Sequence, residues 1–242
     1  MGGRGGKSGF QTRSSVLTDP MKMTDFQSLH DFMRNTYNIE LGKSMQQLDI
    51  KSVQHVARAV SEIADEFPQA VSSIRKIRVH KCSTAGAAAE ASLDGTINLS
   101  DYYKNWHKLK REYGIGVKQG FHPPTKNAAE SVVAHETGHL IEAALIRKAT
   151  AQMGKSRRYM SIVMWNNSTE AKRIISQACK DVKTTPAGKG RKNAELRREV
   201  SGYSMRNHSE NLAECVADYA ANGSNAKPLS QAVWKLLKKE LG

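Results

Sequence analysis

The sequence has few cysteines, no long apolar run and no apolar N-terminal segment. Three cysteines in 242 residues, Cys82, Cys179 and Cys215, are too few and too scattered for a disulfide framework, which is typical of a reducing compartment. Because no run of about 18 apolar residues occurs, no transmembrane helix is predicted. Residues 1–9 are rich in glycine and basic residues and lack the hydrophobic segment of a secretory signal peptide. We therefore expect a cytoplasmic protein.

Acidic residues are outnumbered by basic ones. The chain has 37 lysines and arginines against 23 acidic residues, a formal net charge of +14. Residues 147–198, called the basic stretch below, hold fourteen of the basic residues and only three acidic ones. Such a segment can attract nucleic acid, an anionic membrane surface or an acidic partner. No known nucleic-acid-binding module accompanies it, so a solvated basic face is the simpler interpretation.

Hydrophobic periodicity predicts an α+β fold that is rich in helix and contains one small mixed sheet. Helices are predicted over residues 25–37, 50–67, 102–113, 126–150, 159–178, 193–201, 208–221 and 229–241. Asp49 and Thr125 are predicted to cap the second and fourth of these helices. The Asp94-Gly95 dipeptide predicts a hairpin that leads into a strand at 96–100, and alternation predicts another strand at 77–79. A glycine- and proline-rich loop is expected over 114–125.

The organisation predicted for the chain is one domain preceded by an arm. Residues 1–20 are expected to be a flexible, glycine-rich arm. Residues 21–242 are expected to form a single domain, with N-terminal helices over 21–75, the core over 76–221 and a C-terminal helix over 222–242.

The segment His135-Glu136-Thr137-Gly138-His139 is the strongest functional motif in the chain. Residues four apart on a helix share a face, so both imidazoles can bind one zinc ion at about 2.0–2.1 Å. Glu136 lies on the adjoining face, where it can reach a water molecule rather than the metal. Gly138 is expected to leave room beside the metal. A metzincin would have a third histidine at position 145, but the chain has Leu145, so the third ligand must come from another segment.

Three acidic residues follow at four-residue steps in the helix predicted over 208–221: Glu210, Glu214 and Asp218. Carboxylates stacked on one helix face repel each other unless a cation or histidines lie among them. One of the three could be the third metal ligand, while the next orients a ligand histidine through its other ring nitrogen. Their spacing alone leaves open which acid has which role.

The stretch from Tyr203 to Glu214 resembles the second active-site segment of gluzincin metallopeptidases of the anthrax lethal factor type. In that family a tyrosine stands seven residues before the glutamate ligand, and a second glutamate follows four residues later. Tyr203, Glu210 and Glu214 match these positions. The resemblance covers about residues 77–221 and implies a zincin-like domain whose small sheet lies beside the metal-binding helix. Similar compact proteins are often encoded by bacteriophages and mobile elements, which implies a virion-associated location as the alternative to a cytoplasmic one.

The resemblance implies a zinc-dependent endopeptidase with one zinc ion per chain, acting on a protein or peptide substrate. With the motif, it assigns the ligands His135, His139 and Glu210, the general base Glu136, the oxyanion donor Tyr203 and the supporting acid Glu214. Asp218, four residues further on the same helix face, is expected as a second supporting acid. The other gluzincin spacing stays open, with Glu214 as the ligand and Asp218 as its support. Thr96, Ile97, Asn98 and Leu99 resemble the family's edge strand, along which a peptide substrate would add as a further strand.

Two other functions stay open. The chain could be a non-catalytic structural protein of a phage whose zinc site only stabilises the fold, although such a site does not need the base Glu136. It could also bind nucleic acid through the basic stretch, and its affinity would then fall with rising salt. His122 and His208 are weaker candidates for lining a cleft.

Overall fold

In the computed structural model, which describes residues 19–242, the chain forms nine α-helices and four short strands. The helices are α1 (Phe26–Tyr37), α2 (Ile50–Glu66), α3 (Trp106–Lys118), α4 (Ala128–Ala149), α5 (Arg157–Asn166), α6 (Thr169–Lys183), α7 (Asn193–Val200), α8 (His208–Asn222) and α9 (Pro228–Leu241). The strands are β1 (Glu40–Leu41), β2 (Lys76–Val79), β3 (Ala89–Ala91) and β4 (Thr96–Leu99). The predicted helix-rich α+β class is confirmed.

The four strands form one mixed sheet in the order β1-β2-β4-β3. Strand β2 is parallel to both β1 and β4, whereas β3 and β4 form the antiparallel hairpin that Asp94-Gly95 predicts. Gly95 has a φ of 92°, a left-handed conformation that glycine adopts without steric cost. The two middle strands bury Ile77 and Ile97 opposite each other. All four strands thus contribute buried side chains to one hydrophobic core, and β1 and β3 lie at the edges of the sheet.

Strand β4 contains the predicted substrate-binding residues Thr96, Ile97, Asn98 and Leu99, and their prediction as an edge strand is wrong. Strand β4 pairs with β2 on one side and with β3 on the other, so its backbone has no free side. The edge next to α4 is β3 instead. Alternation and a hairpin turn identify two paired strands, but they do not show which of the two lies outermost.

Helix α4 runs through the centre of the molecule and is buried on nearly all sides. Val133 and Leu140 belong to a hydrophobic core that α4 shares with α1, α2, α3 and the sheet. Ile141 and Leu145 belong to a second core that it shares with α6, α8 and α9. Each such side chain contributes about 1.5–3 kcal/mol through its burial. The helix that carries the histidine pair is thus fixed by two cores at once.

The start of α4 and the end of α3 both differ from their predicted positions. Asn127, not Thr125, caps α4, because its side chain accepts hydrogen bonds from the backbone N–H groups of the first turn. Helix α3 continues to Lys118 instead of ending near residue 113. Gly116 lies inside it, and a Cβ at this glycine would approach the His122 ring to 2.8 Å. The glycine therefore serves close packing rather than a loop.

The helix predicted over residues 159–178 is two helices, α5 and α6. The break lies at Asn167 and Ser168, where Ser168 has a φ of 50°. A residue in this left-handed region ends an α-helix. The sequence did not predict this break, because the helical spacing of apolar residues is present on both sides of it. The bend turns α5 away from the second core, and no residue of α5 is buried.

The predicted arm, residues 1–20, lies outside the described residues except for Asp19 and Pro20. Pro20 is buried and starts a short 3₁₀ helix (Pro20–Lys22) that the Asp19 side chain caps. Among residues 19–242, no helix has the length and apolar character needed to cross a membrane.

Candidate metal centre

Helices α4 and α8 approach each other closely enough to place their polar residues in one site. A Cβ on Gly138 would lie 2.7 Å from the Cα of Ala213, so only glycine fits at this crossing. The sequence suggested that Gly138 leaves room beside the metal. In the structure it faces α8 instead. Because Ala213 is also small, the side chains one turn away on α8 can reach the histidines of α4.

Three ligand atoms form a tight triangle at this crossing. Nε2 of His135 lies 3.2 Å from Nε2 of His139, and Oε2 of Glu210 lies 3.1 and 3.4 Å from these two atoms. In a tetrahedral site with bonds of about 2.0–2.1 Å, neighbouring ligand atoms lie about 3.3–3.4 Å apart. The arrangement therefore has the dimensions of a site that could hold a metal ion, and it contains the three residues predicted as ligands.

The His135 ring is oriented by Glu214. Nδ1 of His135 lies 2.8 Å from Oε1 of Glu214, on the side of the ring away from the triangle. The Glu214 side chain is almost fully buried, and burial alone would raise its pKa, but the imidazoles of His122 and His135 outweigh this and lower the pKa to about 2. A charged carboxylate behind a histidine fixes its tautomer and leaves Nε2 free to bind a metal. This is the position predicted for the second glutamate.

The His139 ring is oriented by a pair of residues that the sequence analysis missed. Nδ1 of His139 lies 2.9 Å from the hydroxyl of Ser209, which in turn donates a hydrogen bond to Glu142. Glu142 is fully buried and follows His139 by three residues on the same side of α4. Glu142 could have been identified from the sequence because it is the one acid in an apolar stretch of the helix. A buried acid requires a polar partner, which predicts a hydrogen bond of this kind.

Glu136 is buried beside the triangle and lies under the edge strand. The backbone of Ala91 in β3 lies near enough to its carboxylate to favour the charged form slightly. Burial raises the pKa of Glu136 above its ordinary value, and the nearby His135 and His139 reduce that rise only in part. A raised pKa makes this carboxylate a better proton acceptor near neutral pH.

Tyr203 contacts Glu210 of the triangle through its hydroxyl. Its oxygen lies 3.3 Å from Oε1 of Glu210, and Arg206 donates a hydrogen bond to it at 2.9 Å. The hydroxyl therefore accepts a hydrogen bond from Arg206 and donates its own proton to Glu210, so a carbonyl oxygen in the cleft would take that proton's hydrogen bond in place of Glu210. Burial, followed by the charge of Glu210, raises the pKa of Tyr203 to about 12, so the hydroxyl stays protonated at neutral pH.

Asp218 does not support the metal site, and this prediction is wrong. Its carboxylate accepts hydrogen bonds from the side chain of Asn222 and the backbone N–H of Lys227, both at 2.8 Å. It therefore joins the end of α8 to the start of α9. The alternative reading with Glu214 as the ligand loses its supporting acid. Glu214 also faces Nδ1 of His135, whereas the triangle is formed by the Nε2 atoms.

A cleft opens on both sides of the triangle. On one side, an apolar cavity of about 440 Å³ is lined by residues that include Leu109, Tyr113, His122 and Val132. On the other, a polar cavity of about 360 Å³ is lined by residues that include Trp165, Asn166, Ser168 and Arg206. His135, Glu136 and Tyr203 line both cavities, so the triangle lies at the middle of the cleft. His122, a weaker candidate from the sequence, does line the cleft.

No protein-family model matches the chain, and comparison with curated proteins and with solved structures gives no significant match. Function must therefore be inferred from the residues of the site and their geometry.

Proposed function

We propose that the protein is a zinc-dependent peptidase that hydrolyses peptide bonds in the cleft between α4 and α8. The observation that carries the proposal is the triangle of His135, His139 and Glu210 with Glu136 directly beside it. Two histidines and one glutamate are the ligands of several zinc peptidases, in which a fourth position stays open. The resemblance of residues 203–214 to the gluzincin segment supports the same assignment.

The donor set fits zinc, and its surroundings fit a cation. Four carboxylates, those of Glu136, Glu142, Glu210 and Glu214, lie around or directly behind the two histidines, and such crowding of acids favours a bound positive charge. When bound, zinc would act as a Lewis acid that increases the acidity of a water molecule and polarises a carbonyl group. Two histidines and a carboxylate also bind iron(II) in oxygenases, so the metal has to be identified by measurement.

Glu136 and Tyr203 would carry the proton transfers and the charge stabilisation. Glu136 would accept the proton of the attacking water and pass it to the leaving amine, as its raised pKa allows. Tyr203 would donate its hydroxyl proton in a hydrogen bond to the carbonyl oxygen as that oxygen gains negative charge. For this the hydroxyl would turn its proton from Glu210 to the carbonyl oxygen while still accepting the hydrogen bond of Arg206.

The peptide substrate would lie along β3. Strand β3 uses one side to pair with β4, and Ala89 of this strand lines both cavities. An extended peptide that adds to the free side of β3 would pass over Glu136. We therefore propose that the substrate pairs with β3, the neighbouring strand of the same hairpin, and not with Thr96–Leu99.

The test combines metal analysis with a single variant. We expect purified protein to contain about one zinc per chain and little iron, and to cleave members of a mixed peptide library. Glu136→Gln should keep the metal and the fold but lose most of the cleavage, because an amide cannot accept the proton. Glu62→Gln, the same change at an exposed position of α2, is the matched control. Cleavage at the wild-type rate by Glu136→Gln would contradict the proposal.

A further inference from the structure

Helix α5 and the turn before it form an exposed apolar surface. Tyr159 exposes 69% of its area and Ile162 exposes 43%, and Met153 in the preceding turn exposes 39%. These are three of the five large hydrophobic residues that are exposed among the described residues. Clustered apolar side chains at a surface indicate an interaction site more strongly than scattered ones do.

This surface is continuous with the cleft. Trp165 and Asn166 follow Ile162 by three and four residues on α5, so they share its face, and both line the polar cavity. The Trp165 ring lies edge-on to His139, with ring centroids 6.4 Å apart. From Tyr159 to Asn166 the helix rises by about 10 Å, which adds a strip of this length to the end of the cleft.

The same surface carries uncompensated positive charge. Lys155, Arg157 and Arg158 are exposed, and none of the ion pairs within residues 19–242 includes them. Arg157 also lies close enough to Arg147 to disfavour the charge on that residue. An occupant that brings negative charge is therefore favoured.

We propose that α5 with its preceding turn is a docking surface for an acidic polypeptide segment that carries apolar side chains, and that this segment adjoins the cleavage site in the protein substrate. The residues of this α5 surface are Met153, Lys155, Arg157, Arg158, Tyr159 and Ile162. A polypeptide is favoured over other polyanions because the strip continues the groove in which a peptide would lie and offers apolar contacts between its charges. The identity of the occupant as substrate rests on the proposed peptidase function.

Binding is tested on the full chain with a short fluorescein-labelled peptide in which Asp and Glu alternate with Leu and Phe. Fluorescence anisotropy compares it with a peptide in which Lys replaces the acids and with one in which Ser replaces the apolar residues. We expect the acidic, apolar peptide to bind at least about tenfold more tightly than either.

Two double variants locate the bound peptide. Arg157→Glu with Arg158→Glu, and Tyr159→Ser with Ile162→Ser, should each weaken binding by about tenfold or more. Lys180→Glu with Lys183→Glu is the matched control, because it makes the same charge change at exposed positions of α6, about 20 Å along that helix from its start. This control should weaken binding by no more than about twofold. All changes are at exposed positions, and circular dichroism verifies that the variants fold.

Several outcomes would overturn the inference. One is an equal loss of binding in the control variant, which would show a general charge effect. Others are tighter binding of duplex DNA or anionic vesicles through the same residues, and a concentration-dependent dimer in sedimentation that the Tyr159/Ile162 variant abolishes.

A kinetic measurement separates this inference from the peptidase proposal. With a cleavable peptide extended by the acidic, apolar segment, the Arg157/Arg158 variant should raise KM by about tenfold and leave kcat unchanged, while a short peptide without the segment should show no difference. Binding to α5 without any cleavage would refute the peptidase proposal alone. Cleavage without this dependence on the segment would refute the docking surface alone.

Discussion

Both histidines of the triangle form a hydrogen bond through the ring nitrogen that faces away from it. Glu214 fixes His135 directly, whereas Ser209 and Glu142 fix His139 as a relay. Both direct contacts come from α8, which carries Ser209 and Glu214, whereas Glu142 behind Ser209 lies on α4. Each histidine is therefore oriented before any metal binds, which lowers the entropic cost of assembling the site.

The different positions of the two glutamates predict different losses of metal. Glu210→Ala removes a ligand, leaves two histidines and should come through a mild chelator wash almost free of zinc. Glu214→Ala removes only the support of His135, which typically costs about 10–100-fold in affinity, so it should keep measurable zinc. Inductively coupled plasma mass spectrometry of both variants measures this. The reverse ranking would make Glu214 the ligand.

Tyr203 should matter for turnover and not for metal. Tyr203→Phe removes the hydroxyl but keeps the ring packed on Phe121, so zinc content should be unchanged. We expect kcat to fall by about 10²–10³-fold, the usual effect of losing one oxyanion donor. If kcat stays near the wild-type value, the contact with Glu210 is the only role of the hydroxyl.

Among single residues, short-range spacing predicted the histidine pair, because the two histidines are four residues apart. Spacing did not single out Glu210 from the three acids; that assignment came from the resemblance of the segment from Tyr203 to Glu214 to the gluzincin segment. Contacts between distant segments, such as that of Ser209 with Glu142, depend on how two helices cross and could not be read from spacing. Asp218 shows the same limit: it lies four residues after Glu214 on α8, but its partners are Asn222 at the end of α8 and the backbone of Lys227 before α9.

At the scale of elements, the site depends on one close helix crossing and one pinned loop. Gly138 lets α8 approach α4. The backbone of Gly202 and Tyr203 donates hydrogen bonds to the carbonyl groups of Gly120 and Phe121, at 2.6 and 3.1 Å. The residues before α8 are thus attached to those after α3, which sets the position of the tyrosine. Helix periodicity predicted most of these elements, but not which strand lies at the edge or where α5 ends.

Gly138→Ala should destabilise the protein although alanine is the better helix former. The new Cβ would lie 2.7 Å from the Cα of Ala213 on α8, so the helices must separate. Such overpacking costs about 1–3 kcal/mol of unfolding free energy, and zinc affinity should fall with it. Gly114→Ala in α3 is the matched control, because its Cβ would meet nothing within 4 Å.

The two glycine variants should therefore change stability in opposite directions. Gly114→Ala should raise the unfolding free energy by about 0.5–1 kcal/mol through helix propensity and lower chain entropy. Urea unfolding of both variants without metal isolates the packing effect. Equal stabilisation by the two changes would show that α8 can move away from Gly138 at no cost.

Over the whole molecule, α4 separates two hydrophobic cores and the candidate site lies where it crosses α8. The first core holds the sheet and the N-terminal helices, and the second holds α6, α8 and α9. The segments that supply the ligands are far apart in sequence, so a bound metal would link the middle of the chain to its C-terminal part. Metal binding and global folding should then be coupled, because the unfolded chain does not assemble the site.

Removal of the metal should therefore lower the thermal stability of the entire protein. A ligand present at 100 times its Kd stabilises the folded state by about 2.7 kcal/mol. For a chain of this size, that corresponds to a fall in Tm of about 5–10 °C when a chelator strips the site. Differential scanning calorimetry should show one transition moving as a unit, since both cores contact α4. His139→Ala is the control and should show the lower Tm with or without chelator. If only part of the transition moves in the wild-type protein, the second core unfolds separately, and the metal stabilises the crossing of α4 and α8 without stabilising the sheet.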